Sequence, residues 1–218
     1  MSSLHRSKGK RKPPQVSRRD CFHILNEINN LSQIRAELVK ARETARKRST
    51  GRSAWVDEFD KLISFVDDPM HRPVHPIFTP GNSKLPFSSF SAAPVVTCPG
   101  AGECLGFCYS YKAFRFPAAF GRMFQNTFLM QHARLQVSQA LRSLPAGTLR
   151  LYVDGDFKDF DTLKYWFQEL RRRPDISAYG YSKSLDLFLA YDAAGSAWPD
   201  NYKLNISCLL YTSDAADE

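Results

Sequence analysis

The sequence has no run of 18 or more apolar residues, so nothing in it reads as a membrane-spanning helix. Its positively charged start, MSSLHRSKGKRKPPQ, lacks a following apolar region, which argues against a secretory signal and makes a cytosol the expected compartment. Over most of its length the chain also lacks excess charge of either sign. The first 50 residues hold 13 Lys or Arg against 4 Asp or Glu, an excess of nine, so with a total of +8 the remaining 168 residues sum to −1. Basicity therefore belongs to an N-terminal arm, which can attract nucleic acid, an acidic partner or a membrane surface without specifying which. Cysteine is scarce, with five in 218 residues, but three of them fall between positions 98 and 108. In a reducing compartment that clustering favours thiolate chemistry or metal ligation over disulfides. The length suits one substantial core with a small accessory segment.

Residues 1–19 are polar, basic and proline-containing, the composition of a disordered arm. From Cys21 onward, Ile24, Leu25, Ile28, Leu31, Ile34, Leu38 and Ala41 recur at three- and four-residue spacing and predict one amphipathic helix over about 21–47. A second helix is expected at 54–66 behind a Ser53 cap. Together these form a helical appendage over 20–66, expected as an antiparallel hairpin or a pair lying across the next domain. Residues 67–94 are loop-like, and a strand is expected at about 93–97, stopped by Pro99 and Gly100. A long helix follows at 117–143 with Pro117 in its first turn. Then LRLYV (149–153), TLKYWFQELRRR (162–173) and ISAYGYS (176–182) read as strand, helix and strand, LDLFLAY (185–191) as a helix, and YKLNIS (202–207) as a third strand. The fold class is α/β, a partial and truncated (β/α) barrel-like parallel sheet over 67–207 carrying the helical appendage. Functional groups gather at the carboxyl ends of strands in such sheets, where Cys98, Asp154 and Ser182 are expected.

Cys98, Cys104 and Cys108, in TCPGAGECLGFCYS, are the candidate metal ligands. Thiolates suit soft and borderline metals, and Gly100, Gly102 and Gly106 give the C-x5-C-x3-C loop freedom to close. A structural zinc site needs a fourth ligand, for which Cys21 and His132 are candidates. Three cysteines without a fourth suit a [4Fe-4S] cluster with one open iron. Ordinary buried thiols are the bland alternative. In VDGDF, Asp154 and Asp156 would point the same way if the backbone stays extended, forming a pair for Mg2+ or a cofactor amine; otherwise Gly155 supplies the positive φ of a turn. Ser182, Lys183 and Ser184 follow the next strand, within reach of a phosphate. Arg115 and Arg122, interleaved with Tyr109, Tyr111, Phe114 and Phe116, have the composition of a stacking and phosphate-contact surface, although aromatics this dense more often form core. The stronger nucleic-acid candidate is the arm, residues 5–19.

The segments FTPGNSKLP, TCPGAGECLGFCYS and RLYVDGDFKDFDTLKYWFQELRRRPDISAYGYSKS resemble a bacteriophage family known as gene product 88, over roughly 77–207. That resemblance implies a phage protein acting in the bacterial host cytoplasm and brings no reaction with it. The layout is in turn similar to radical S-adenosylmethionine proteins, with cysteines after a first strand and a glycine-acidic loop after a second. It implies a [4Fe-4S] cluster on Cys98, Cys104 and Cys108 and S-adenosylmethionine at Asp154, Gly155 and Asp156. The spacing departs from the C-x3-C-x2-C of those enzymes, so the cofactor site is an analogy of layout. The alternative is a zinc-stabilised nucleic-acid-binding or structural module without catalysis. Finally, CLLYTSDAADE (208–218) back-translates to a transposase-type sequencing adapter, so it is expected to be a read-through scar, with the natural chain continuing beyond Ser207 and Cys208 excluded from any site.

Overall fold

A computed structural model describes residues 15–207. The chain begins with α1 (Arg18–Asn26), α2 (Leu31–Lys47) and α3 (Ala54–Asp67). Where one helix was expected over 21–47 there are two. Glu27 (φ −90°, ψ 5°) closes the first, and the side chain of Asn30 caps the second by accepting from the Gln33 N–H. The apolar rhythm runs through this break because Ile28 stays buried in the corner, while asparagine offers the backbone an alternative partner to the helix ladder. α3 starts as predicted, with Ser53 accepting from the Val56 N–H. Ion pairs Arg35–Asp67 (2.7 Å) and Arg42–Asp60 (2.9 Å) mark α2 and α3 as antiparallel. Residues 15–19 are also part of the fold rather than of an arm: Val16 is buried, Ser17 caps α1, and Gln15 accepts from the Ser53 hydroxyl at 2.7 Å. Residues 1–14, which carry most of the basic segment, and 208–218 lie outside the described residues.

β1 is short (Ser88–Ser89). The expected strand at 93–97 is displaced toward the N-terminus. Ladder-like bonds continue from β1 through Phe90 N–H to Arg150 O (2.9 Å), Val153 N–H to Phe90 O (3.0 Å) and Ala92 N–H to Asp154 O (2.9 Å). Pro94 has no N–H to donate, and Val95 adopts φ 77°, so the Val-Val segment turns across the sheet's end instead of extending it. The segment that leads out of β1, Ser89-Phe90-Ser91-Ala92-Ala93, is buried throughout.

After a one-turn α4 (Cys104–Phe107) and a 3-10 helix (Tyr109–Arg115) come α5 (Pro117–His132) and α6 (Arg134–Arg142). The single helix expected over 117–143 is thus broken at Ala133 (φ −149°, ψ 51°). No glycine or proline signals this; the His132 ring bonds the Ile28 carbonyl (2.8 Å) and the Arg134 guanidinium turns back to Met130 O (2.7 Å). The remaining elements keep the expected order: β2 (Gly147–Leu151) and α7 (Phe160–Arg171) each lie two residues earlier than expected, with Tyr152 (φ 54°) already outside the strand, followed by β3 (Ile176–Ser182), α8 (Leu185–Ala193) and β4 (Tyr202–Ile206). The four strands are all parallel in the order β1-β2-β3-β4, an open sheet with the sequential neighbour order of a (β/α) barrel. Leu149, Leu151, Ile176 and Ala178 are buried, while the alternate positions Arg150, Tyr179 and Tyr181 are on the more exposed face.

One hydrophobic core joins the helical hairpin to the sheet. Trp55, Phe59 and Phe65 of α3 pack on Phe120 and Phe128 of α5 with ring centroids 5.1–6.5 Å apart. Among the described residues no helix is long and apolar enough to cross a membrane. Three consecutive buried polar residues of α5 then fix the irregular chain before the cysteines. Gln125 accepts from the Val74 and His75 N–H groups and donates to His75 O; Asn126 donates to Ile77 O and Ser91 O (both 2.9 Å); Thr127 accepts from the Ala93 N–H (2.8 Å). Replacing Asn126 by Leu keeps the branched heavy-atom skeleton but removes the donor to two carbonyls, so we expect a loss of about 1–3 kcal/mol per orphaned group, read as a lowered midpoint of urea unfolding.

Candidate functional site

The carboxyl ends of β2, β3 and β4 open into a cleft of about 100 Å3, and Cys98, Cys104 and Cys108 all line it with Gly155, Asp156 and Lys183. Its floor is organised by one carboxylate. Asp156 Oδ1 accepts from Ser182 Oγ (2.7 Å) and the Phe157 N–H (2.7 Å), and Oδ2 accepts from the Lys183 N–H (3.0 Å) and Ser184 Oγ (3.1 Å). These bonds tie the turn after β2 to the loop after β3. Gly155 takes φ 83°, so Asp154-Gly155-Asp156 is a turn and not an extended pair. A Cβ at Gly155 would lie 2.7 Å from Thr97 Oγ1 and 2.9 Å from Ala92 O, which explains glycine there beyond its φ. Asp154 takes a separate path, accepting from Ser91 Oγ at 3.3 Å outside the cleft lining.

The cysteine loop is seated on this floor. Thr97 donates to Ala93 O (2.8 Å) and accepts from the Asp156 N–H (3.2 Å), placing Cys98 beside the turn. Gly100 packs so closely on the loop after β3 that a Cβ would overlap the Lys183 carbonyl. Of the other glycines, Gly102 uses the left-handed region (φ 48°), and Gly106 stands in open space. Cys104 heads α4, and Cys108 ends it; Tyr109 then donates to Val153 O (3.0 Å), linking the loop's exit to the exit of β2. Burial pushes the Cys98 thiol up to about 11, helped by the Asp156 and Cys108 charges, and raises Cys104, with Cys108 adding to it. Among the described residues, however, no three of His, Cys, Asp and Glu are drawn together closely enough to hold a metal ion.

The expected fourth ligands are elsewhere. Cys21 is fully buried on α1, its thiol pushed up to about 12 by burial, and His132 is at the end of α5 against Phe128 and the Ile28 carbonyl. The aromatic segment divides: Tyr111 and Phe114 are core, Arg18 stacks 4.6 Å from the Tyr111 ring, and Tyr109 and Phe116 are exposed. Residues missed by sequence reasoning are Arg150 and Tyr181, which also line the cleft. Strand alternation carried the signal, since Arg150 stands between inward-facing Leu149 and Leu151 and so had to project from the opposite face.

Backbone strain borders the site on both sides. Val95 (φ 77°) and Tyr152 (φ 54°) occupy the left-handed region without being glycine, which costs on the order of 1–3 kcal/mol each.

Two expected outcomes follow from this geometry. Burial raises the Asp156 carboxyl above its ordinary value of 3.8, against the pull of its donors. A group whose folded pKa is raised contributes most below its unfolded pKa, and that contribution declines as pH rises through the folded value. The stability margin of the wild type over Asp156→Asn, about 1–3 kcal/mol, should therefore narrow from acid toward neutral pH in urea titrations; a margin that widens would reverse the balance. Gly100→Ala should lift the loop off Lys183 and speed alkylation of Cys98, with an unchanged rate showing that the backbone absorbs the methyl elsewhere.

No curated protein and no solved structure gives a significant match to this chain. A family model described as gene product 88 matches residues 53–209, beginning at the cap of α3 and covering the pinned segment, the cysteine loop and the whole sheet. The match thus reaches further toward the N-terminus than the resemblance over 77–207, and takes in the helix that packs on α5. The chain belongs to the gene product 88 family.

Proposed function

We propose that Cys98, Cys104 and Cys108 bind one iron-sulfur cluster, of the [4Fe-4S] type, at the carboxyl edge of the parallel sheet. The observation that carries this reading is that all three cysteines line one cleft, beside the turn after β2 and the loop after β3. The donor set favours a cluster over structural zinc. A closed zinc site needs a fourth fixed donor, while Cys21 and His132 face other surroundings and the Asp156 oxygens are already taken by four donors. Metal binding and local folding are coupled in such a site, so binding a cluster requires the thiols to be drawn closer than they stand. When bound, a cluster held by three thiolates supplies one-electron chemistry and leaves one iron open.

The chain's own residues shape that chemistry. Asp156 holds the turn and the loop in register, Gly155 allows the turn to approach the cysteine segment, and Tyr109 fixes the loop's exit. Asp156 has both carboxylate oxygens occupied by protein donors, whereas Asp154 accepts one bond, from Ser91 Oγ, through Oδ2, so a cofactor amine at this turn would pair with Asp154 rather than Asp156. Reductive cleavage of S-adenosylmethionine is accordingly a separate arm of the test.

Anaerobic purification followed by iron, sulfide and zinc analysis is the measurement. Iron and sulfide in equal amounts, lost on changing any one of the three cysteines to alanine but retained in Cys21→Ala, is the expected result. Stoichiometric zinc without sulfide would replace this reading with the structural module.

A further inference from the structure

The cleft contains more positive charge than its own carboxylates use. Arg150, on β2, and Lys183, directly after β3, both line it. Among the described residues neither makes an ion pair, although twelve such pairs form elsewhere in the chain. The one carboxylate lining the cleft, that of Asp156, has both oxygens occupied by hydroxyl and backbone donors and is not available to either cation. Asp154 lies nearby outside the lining and accepts from Ser91. Among the described residues the Arg150 Nε is buried without a hydrogen-bond partner, as are those of Arg42 and Arg122, at a cost of about 1–3 kcal/mol. Among the described residues the one hydrogen bond of the Lys183 ammonium is a long one of 3.4 Å to Ser207 O.

A flat wall adjoins these cations. The Arg150 guanidinium stacks 5.2 Å from the centre of the Tyr181 ring, and that ring is 47% exposed. Tyr181 continues into an aromatic row along the open sheet face, with Tyr179 at 6.3 Å and Phe87 5.7 Å beyond it. A guanidinium is suited to planar and tetrahedral oxyanions.

We infer that the cleft is a binding site for a small ligand carrying an oxyanion, a phosphate or a carboxylate, held between Arg150 and Lys183 with any planar part lying on Tyr181. The three thiols line the same cleft, so a cluster on them would share this space and answer part of the positive charge; the inference is therefore made for the metal-free chain and is tested apart from the cluster assignment. Two positive charges match a phosphate monoester better than a single carboxylate, and the aromatic row favours a ligand with a ring, so a nucleoside monophosphate is the preferred member of the class.

Calorimetric titration of the full chain with adenosine monophosphate, ribose 5-phosphate, inorganic phosphate and a free amino acid tests this. The expected order is nucleotide tightest, then the aliphatic phosphates, with tenfold or greater weakening in Arg150→Gln and in Lys183→Gln and no change in Arg172→Gln. Tightest binding of the amino acid would make the oxyanion a carboxylate within the same site. Circular dichroism and melting temperature verify folding; if Arg150→Gln does not fold, Lys183→Gln, at a loop position, carries the comparison. Binding retained in Cys104→Ser separates this site from the cluster. Equal affinity in the wild type and both cation variants, or no binding of any of the four compounds, would overturn the inference.

Discussion

Asp156 accepts from four different residues, two through backbone N–H groups and two through hydroxyls, and every one of those donors lies on the carboxyl side of a strand or in the turn itself. Taking the carboxylate out of water is expensive, and the upward displacement of its pKa shows that burial outweighs the donors. What is gained is geometry. A parallel sheet leaves its loops without mutual ladder bonds, and here a single charged hub joins the exits of β2 and β3. The cysteine segment then docks on that joint through Thr97 and through the bare backbone of Gly100.

The other side of the cleft depends on α5. Gln125, Asn126 and Thr127 convert an irregular stretch between residues 74 and 93 into a defined approach to the cysteines, by pairing its backbone groups in place of a regular ladder. Backbone pairing that a strand would supply to itself is supplied by a helix. Strain at Val95 and Tyr152 is tolerated between these two anchors, since the chain is held on one side by α5 and on the other by the sheet.

Much of the sheet was legible in the sequence because β2, α7, β3, α8 and β4 follow one another with clear changes of period, and the βαβ order fixes neighbours. The cysteines and the turn after β2 could likewise be placed at the strand ends from order alone. What could not be read depends on partners far along the chain. The break at Ala133 comes from His132 reaching Ile28 and carries no local signal. The first strand is expected at about 93–97 because Pro99 and Gly100 punctuate the chain there, whereas the chain already leaves the sheet at Pro94 and Val95, and the ladder-like bonds run through Phe90 and Ala92. In the site, the two aspartates looked equivalent. Only the positive φ of Gly155 separates them, sending Asp156 to the floor and Asp154 to Ser91.

Helix α5 is enclosed on its whole circumference, with Phe120, Gly121 and every residue from Met123 to Met130 buried. An ordinary surface helix drifts freely on its wet side, so its history is written as a three- and four-residue rhythm of fixed and variable positions. This helix has no wet side along that stretch. Within the family, replacement there should be suppressed at consecutive positions, apolar and amide alike, giving a solid block in the middle of the chain that looks like a catalytic motif while being an axle.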